Sequence, residues 1–157
     1  MAWIDEIKNK YVSGKKRKEQ EEKIKFKKEK EKNAEMARQR EKRIRAARKK
    51  FHELIYRRAK RVFLMVKKTI EKEAANGDWV ITFKPAEYPF SEEESRELFD
   101  TDGKILSCFS DFLHVDRFDI EESFIDVLCE MLKKEKLQVQ KEKHWERSIL
   151  MLIIRWN

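Results

Sequence analysis

The sequence predicts an α+β fold, in which a long N-terminal basic helix packs on a small domain with a three-stranded, mostly antiparallel sheet and two further helices. Three observations lead there. Apolar residues step by three and four from Ile44 almost to Ile70, which is a helical stripe. "WVITFKP" (79–85), "LQVQK" (137–141) and "SILMLIIRW" (148–156) have the length and composition of strands. Between the first and the last two, Ser91 with Glu94 and Asp119 with Glu122 match the capping box that opens a helix.

Taken in order, "WIDEIKNKYV" (3–12) puts Trp3, Ile4, Ile7 and Tyr11 on one helical face, and Ser13 with Gly14 is expected to interrupt it. This short amphipathic helix is expected to pack on its own domain or to fray at the terminus. The other readings are docking on a partner, or lying on a membrane, against which its acidic side (Asp5, Glu6) argues. Residues 15–43 are almost devoid of apolar side chains. Seven acids and ten bases alternate between Glu19 and Arg43, with supporting pairs such as Glu19–Lys23 and Glu21–Lys25. Such a stretch cannot bury a core, so it reads as a solvated charged helical rod or as partly disordered. "KKRK" (15–18) resembles a nuclear-import patch but is expected by chance in this composition.

From Ile44 the helix gains an apolar side carrying Ile44, Ala47, Phe51, Leu54, Ile55, Val62 and Met65, and it runs to about Ala75. "NGD" (76–78) ends it, with Gly77 suited to the left-handed cap. Pro85 stops the first strand. Phe124, Val127, Leu128, Met131 and Leu132 form the buried side of the helix after Asp119. The strand at 148–156 is apolar on both faces, as a central strand would be, and "EKHWER" joins it to the strand before. The chain therefore divides into residues 1–43 and a domain of residues 44–157.

Charge divides the chain as well. Charged residues make up 43% of it, against roughly 25% in ordinary globular proteins. Residues 1–75 hold 27 bases and 12 acids, net +15, while residues 76–157 hold 11 and 18, net −7. That asymmetry points to nucleic acid or an anionic surface. The longest aliphatic run, "ILMLII" (149–154), is far short of the roughly 20 residues of a spanning helix. Asp5 and Glu6 stand where a secretory signal would be apolar, and two lone cysteines suit a reducing compartment, so the expected location is cytoplasmic.

The equipment of most enzymes is missing. Gly14, Gly77 and Gly103 stand singly, so no glycine-rich loop can cradle a phosphate. His52, His114 and His144 lack a second ligand one turn away, and Cys108 and Cys129 form no CxxC pair. "DTDGKI" (100–105) fits the middle of a calcium loop, but its ends would be Leu98 and Phe109, which offer no side-chain oxygen. It reads as an Asp-Gly turn between two helices. A metal-dependent nuclease would want acids on the late strands, and Gln138 and Gln140 stand there instead. No catalytic residue, metal or cofactor is expected.

The opening of the basic half remains. From Lys42 to Lys68 there are twelve bases and one acid, Glu53, over about 39 Å at ~1.5 Å per residue. Lys42, Lys49, Lys50, Arg57, Lys60, Arg61, Lys67 and Lys68 gather opposite the apolar side, with Arg43, Arg45 and Arg48 adding forks suited to phosphate. An unneutralised ridge repels itself, so something should balance it. The candidates are a DNA or RNA backbone, or acids such as Glu92, Glu93, Glu94 and Glu97. Arg58 falls inside the apolar stripe, where it either snorkels out or forms a buried ion pair. The primary expectation is a non-enzymatic nucleic-acid-binding accessory protein of low sequence specificity. The alternative is an adaptor or small inhibitor, such as a phage or mobile-element antagonist of a nucleic-acid enzyme. In that reading Trp3, Ile4, Ile7, Tyr11 and the acids of 92–97 contact a protein partner, and coiled-coil homodimerisation stays open.

Overall fold

In the computed structural model the described residues are 2–144 and 149–157. The chain divides into two units, Met1–Arg43 and Ile44–Asn157. Helix α1 spans Ala2–Ala75 and contributes to both. The expected break at Ser13 and Gly14 does not occur. A single glycine inside a helix costs about 1 kcal/mol relative to alanine, which is too little to end a helix with good formers on both sides. In the first unit every described residue is exposed except half-buried Gly14. Packing on its own domain, the reading expected for Trp3, Ile4, Ile7 and Tyr11, is therefore overturned.

In the second unit the stripe of α1 is the spine of the core. Ala47, Phe51, Leu54, Ile55, Ala59, Val62 and Val66 are buried at three- and four-residue steps. Met65, expected among them, is exposed. It lies within about 20° of Arg58 and Leu54 on the wheel, so periodicity alone does not account for its exposure. The helix ends as read. Gly77 takes φ +88°, and the amides of Gly77 and Asp78 donate to the carbonyls of Ala74 and Glu73.

Strand β1 (Val80–Phe83) leads into a single 3-10 turn, Pro85–Glu87. Helix α2 (Glu92–Leu98) opens with the Ser91/Glu94 capping box, both hydrogen bonds present. The Asp-Gly turn follows. One oxygen of Asp100 accepts from the amides of Asp102 and Lys104 at 2.9 Å, which closes the turn without an ion. Helix α3 (Ser107–Leu113) was not expected, so the domain has three further helices rather than two. Its N-cap is Leu106, which has no side-chain oxygen, and Phe109 anchors it in the core beside Phe51. Helix α4 (Arg117–Lys134) starts earlier than read, because Asp116 caps it and Asp119 is the third residue of its box. The earlier start puts Ile120 into the core. Ile125 and Cys129 also join Phe124, Leu128 and Leu132 there, while Val127 and Met131 are only partly buried.

Strands β2 (Gln138–His144) and β3 (Ile149–Arg155) complete an antiparallel sheet of order β1-β3-β2. Strand β3 is central, and β1 runs antiparallel to it, with Val80 opposite Arg155. Leu152 and Ile154 are buried on the inner face with Phe83, and Met151 and Ile153 are half-buried on the other. Of the expected connection "EKHWER" (142–147), Glu142, Lys143 and His144 extend β2 beyond the strand read at 137–141, and the rest lies outside the described residues.

One charge lies inside this core. Arg58 is 1% exposed. Its Nε donates to the carbonyl of Tyr88 at 3.0 Å, and its two terminal nitrogens grip both oxygens of Glu121 at 2.7 and 3.1 Å. The guanidinium also lies 4.4 Å from the centre of the Phe90 ring and 3.8 Å from that of Phe124. The ion pair is the arrangement found, and snorkelling is not: Arg58 is its buried member, while the Glu121 side chain is 46% exposed. Removing one member of a buried pair typically costs about 3–5 kcal/mol, because a charge is left without its partner. Pairs in solvent are worth at most about 1 kcal/mol. Urea unfolding should therefore show Glu121→Ala destabilising by about 3 kcal/mol, with Glu97→Ala, at an exposed pair, below about 1 kcal/mol. Equal losses would mean that the Arg58 network carries no special weight.

Candidate nucleic-acid interface

The buried stripe fixes the rotation of α1 in the second unit, and therefore which bases face outward. Arg45, Arg48, Lys49, Lys50, Arg57, Lys60 and Lys68 are exposed, and Arg61 and Lys67 are half-buried. Lys42 and Arg43 belong to the first unit and are exposed there. The expected ridge is thus present on α1, but its members are not chemically equivalent.

Part of it is neutralised from within. Arg57 pairs with Glu97 of α2 at 3.0 Å, with both side chains open to solvent. Arg61 donates to Glu94 and to the carbonyl of Pro89, each at 2.9 Å. Lys67 reaches Glu135 at 3.8 Å. Arg48, Lys49, Lys50, Lys60 and Lys68 have no carboxylate partner among the described residues.

The acidic cluster divides the same way. Glu94 is buried and is held by Arg61 and by its own capping box, so it supports the fold and presents nothing to a partner. Glu97 holds Arg57, and Glu92 stands 4.0 Å from Arg96 on the exposed side of α2. Glu93 is exposed. Trp3, Ile4, Ile7 and Tyr11 lie in the first unit and are exposed there.

Leu64 and Met65, which periodicity did not assign to the surface, are exposed, and so is Tyr56, which falls outside the stripe. Leu64 and Met65 line a groove of about 430 Å³ with Arg57, Lys60, Arg61 and Lys68. Tyr56 and His52 line a second, of about 570 Å³, against Val127 and Met131 of α4. For Leu64 the signal was available in the sequence, since it lies far round the helix from Val62 and Val66; Met65 falls within about 20° of Arg58 and Leu54 on the wheel, so its exposure is a tertiary result.

Among the described residues no group of three His, Cys, Asp or Glu side chains is placed to hold a metal ion. Burial pushes the Cys129 thiol above its ordinary pKa, against the partial opposition of Lys141 and Lys133. Such a thiol is poor in thiolate and therefore a weak nucleophile. Lys141 is shifted up by its 2.6 Å hydrogen bond to Asp126. Its folded pKa lies above the unfolded one, so this contact is fully present at neutral pH and is lost only as pH climbs through the raised value. With a maleimide at pH 8 in native buffer, Cys108 should label and Cys129 should stay protected until denaturant is added, as read by intact mass. Rapid double labelling of the native protein would show that α4 does not hold Cys129 in the core. No family model, curated protein or solved structure matches the chain.

Proposed function

We propose that the chain is a non-enzymatic accessory protein that binds the backbone of a nucleic acid along the outward face of α1. One observation carries this reading. After Glu94, Glu97 and Glu135 have taken up Arg61, Arg57 and Lys67, four bases of the outward face, Lys49, Lys50, Lys60 and Lys68, still face solvent with no carboxylate at ion-pair distance among the described residues. The domain has acids to spare at Glu92 and Glu93, yet they stand elsewhere on α2. A row of unopposed cations about 28 Å long, at ~1.5 Å per residue, matches a run of phosphates. Contacts of this kind set position without reading bases, so specificity is low.

The ridge-lining groove supports a second reading. Leu64 and Met65 lie among Lys60, Lys68 and Arg61, a mixture that suits an acidic amphipathic segment of a protein partner. In that case the protein is an adaptor, or an inhibitor that occupies a nucleic-acid enzyme.

The two readings separate by salt dependence. Each phosphate contact contributes about −0.9 to the slope of log K against log salt on duplex DNA. Four contacts give a slope of about −3.6, and Lys49→Gln, Lys50→Gln and Lys60→Gln together should flatten it by about 2.7. Arg57→Gln, at a base already engaged by Glu97, should change it less. A chain that binds neither random-sequence duplex DNA nor structured RNA at low salt is not a nucleic-acid binder. Salt-insensitive capture of an acidic protein, lost in Leu64→Ser, would establish the second reading.

A further inference from the structure

We infer that residues 2–18 of α1 form an interfacial helix that lies on an anionic lipid surface. The inference rests on how this stretch distributes its side chains. Trp3, Ile4, Ile7 and Tyr11 are all exposed, Trp3 at 71% and Tyr11 at 68%. At about 100° per residue they fall within an arc of roughly 100°, with Gly14 continuing it. Lys8 and Lys15 border that arc on one side, and Lys10 and Arg17 border it on the other. Asp5 points nearly away from it, and Glu6 lies behind Lys10 and Arg17, farther round than either. Acid in the sequence therefore does not mean acid at the contact.

That order of chemistries is the one a bilayer surface selects. The apolar arc enters the boundary between headgroups and acyl chains, and Trp and Tyr are the side chains that prefer that depth. Bases on both flanks then sit level with the headgroups, where anionic lipid attracts them. The apolar arc is followed by Lys15, Lys16, Arg17 and Lys18, so the charge of the stretch complements anionic headgroups along its length. No helix of the described residues is long and apolar enough to cross a membrane, so the contact is on the surface only.

The test uses the full chain and sedimentation with vesicles of phosphatidylcholine, with or without phosphatidylglycerol. Binding should be at least about tenfold stronger on the anionic vesicles. It should fall at least about tenfold in Trp3→Ser/Ile7→Asn, and drop to the level of neutral vesicles in Lys8→Gln/Lys10→Gln/Lys15→Gln/Arg17→Gln. Lipids brominated near the headgroup should quench tryptophan emission, and Trp3→Phe should bind but lose that quenching. Phe26→Ser, at an exposed apolar side chain outside this stretch, should leave vesicle binding intact. Unchanged vesicle binding in Trp3→Ser/Ile7→Asn would overturn the inference. So would self-association through this face without vesicle affinity, which would make a second copy the occupant, or capture of a soluble protein in its place.

Discussion

A guanidinium in the middle of an apolar stripe constrains everything packed around it. Arg58 cannot shed its charge, so burying it requires that each of its donors meet an acceptor and that its flat faces meet something polarisable. The fold meets those demands from three directions: the Tyr88 carbonyl after β1, the Glu121 carboxylate of α4, and the rings of Phe90 and Phe124. Segments distant in sequence are thereby set in one register against α1. A purely apolar contact between α1 and α4 would permit neighbouring rotations at small cost, whereas a bidentate pair does not.

The rotation that Arg58 sets also decides the surface electrostatics. With Arg58 inward, Arg57 and Arg61 flank it on the side of α2, where Glu97 and Glu94 receive them. Lys49, Lys60 and Lys68 are carried to positions that no carboxylate reaches. The long basic run is therefore two populations: a set that joins α1 to its own domain, and a set that remains unopposed in solvent. Only the second can release counterions to a polyanion. The apolar Leu64 and Met65 next to it give the same face a limited capacity for an amphipathic partner.

Residues 2–18 obey a simpler logic, because no tertiary contact covers them. Their helical wheel and their exposure agree, and the side chains that the sequence aligns are those that the structure leaves open. The continuity of α1 through Gly14 shows why a lone breaker is weak information. One unfavourable residue among many favourable ones shifts helix stability by about 1 kcal/mol and need not end the helix.

Much of this protein is written in local pattern. The stripe from Ala47 to Val66, the Gly77 cap, the Ser91/Glu94 box, three strands with β3 central and the Asp100 turn all follow from spacing and side-chain chemistry within a few residues. Where local pattern was degenerate, it misplaced the feature. Two overlapping boxes at Asp116 and Asp119 look alike until burial of Ile120 selects the earlier one. Helix α3 has no capping oxygen and exists because Phe109 is held against Phe51. Which bases are neutralised was equally invisible, since Glu94, Glu97 and Glu135 lie 30 to 70 residues from Arg57, Arg61 and Lys67. The sequence by itself determined the elements, their order and the asymmetry of charge. Only the tertiary structure decided that Arg58 is buried and which cations stay free, because a charge is balanced by whatever is near it in space, and periodicity is blind to that.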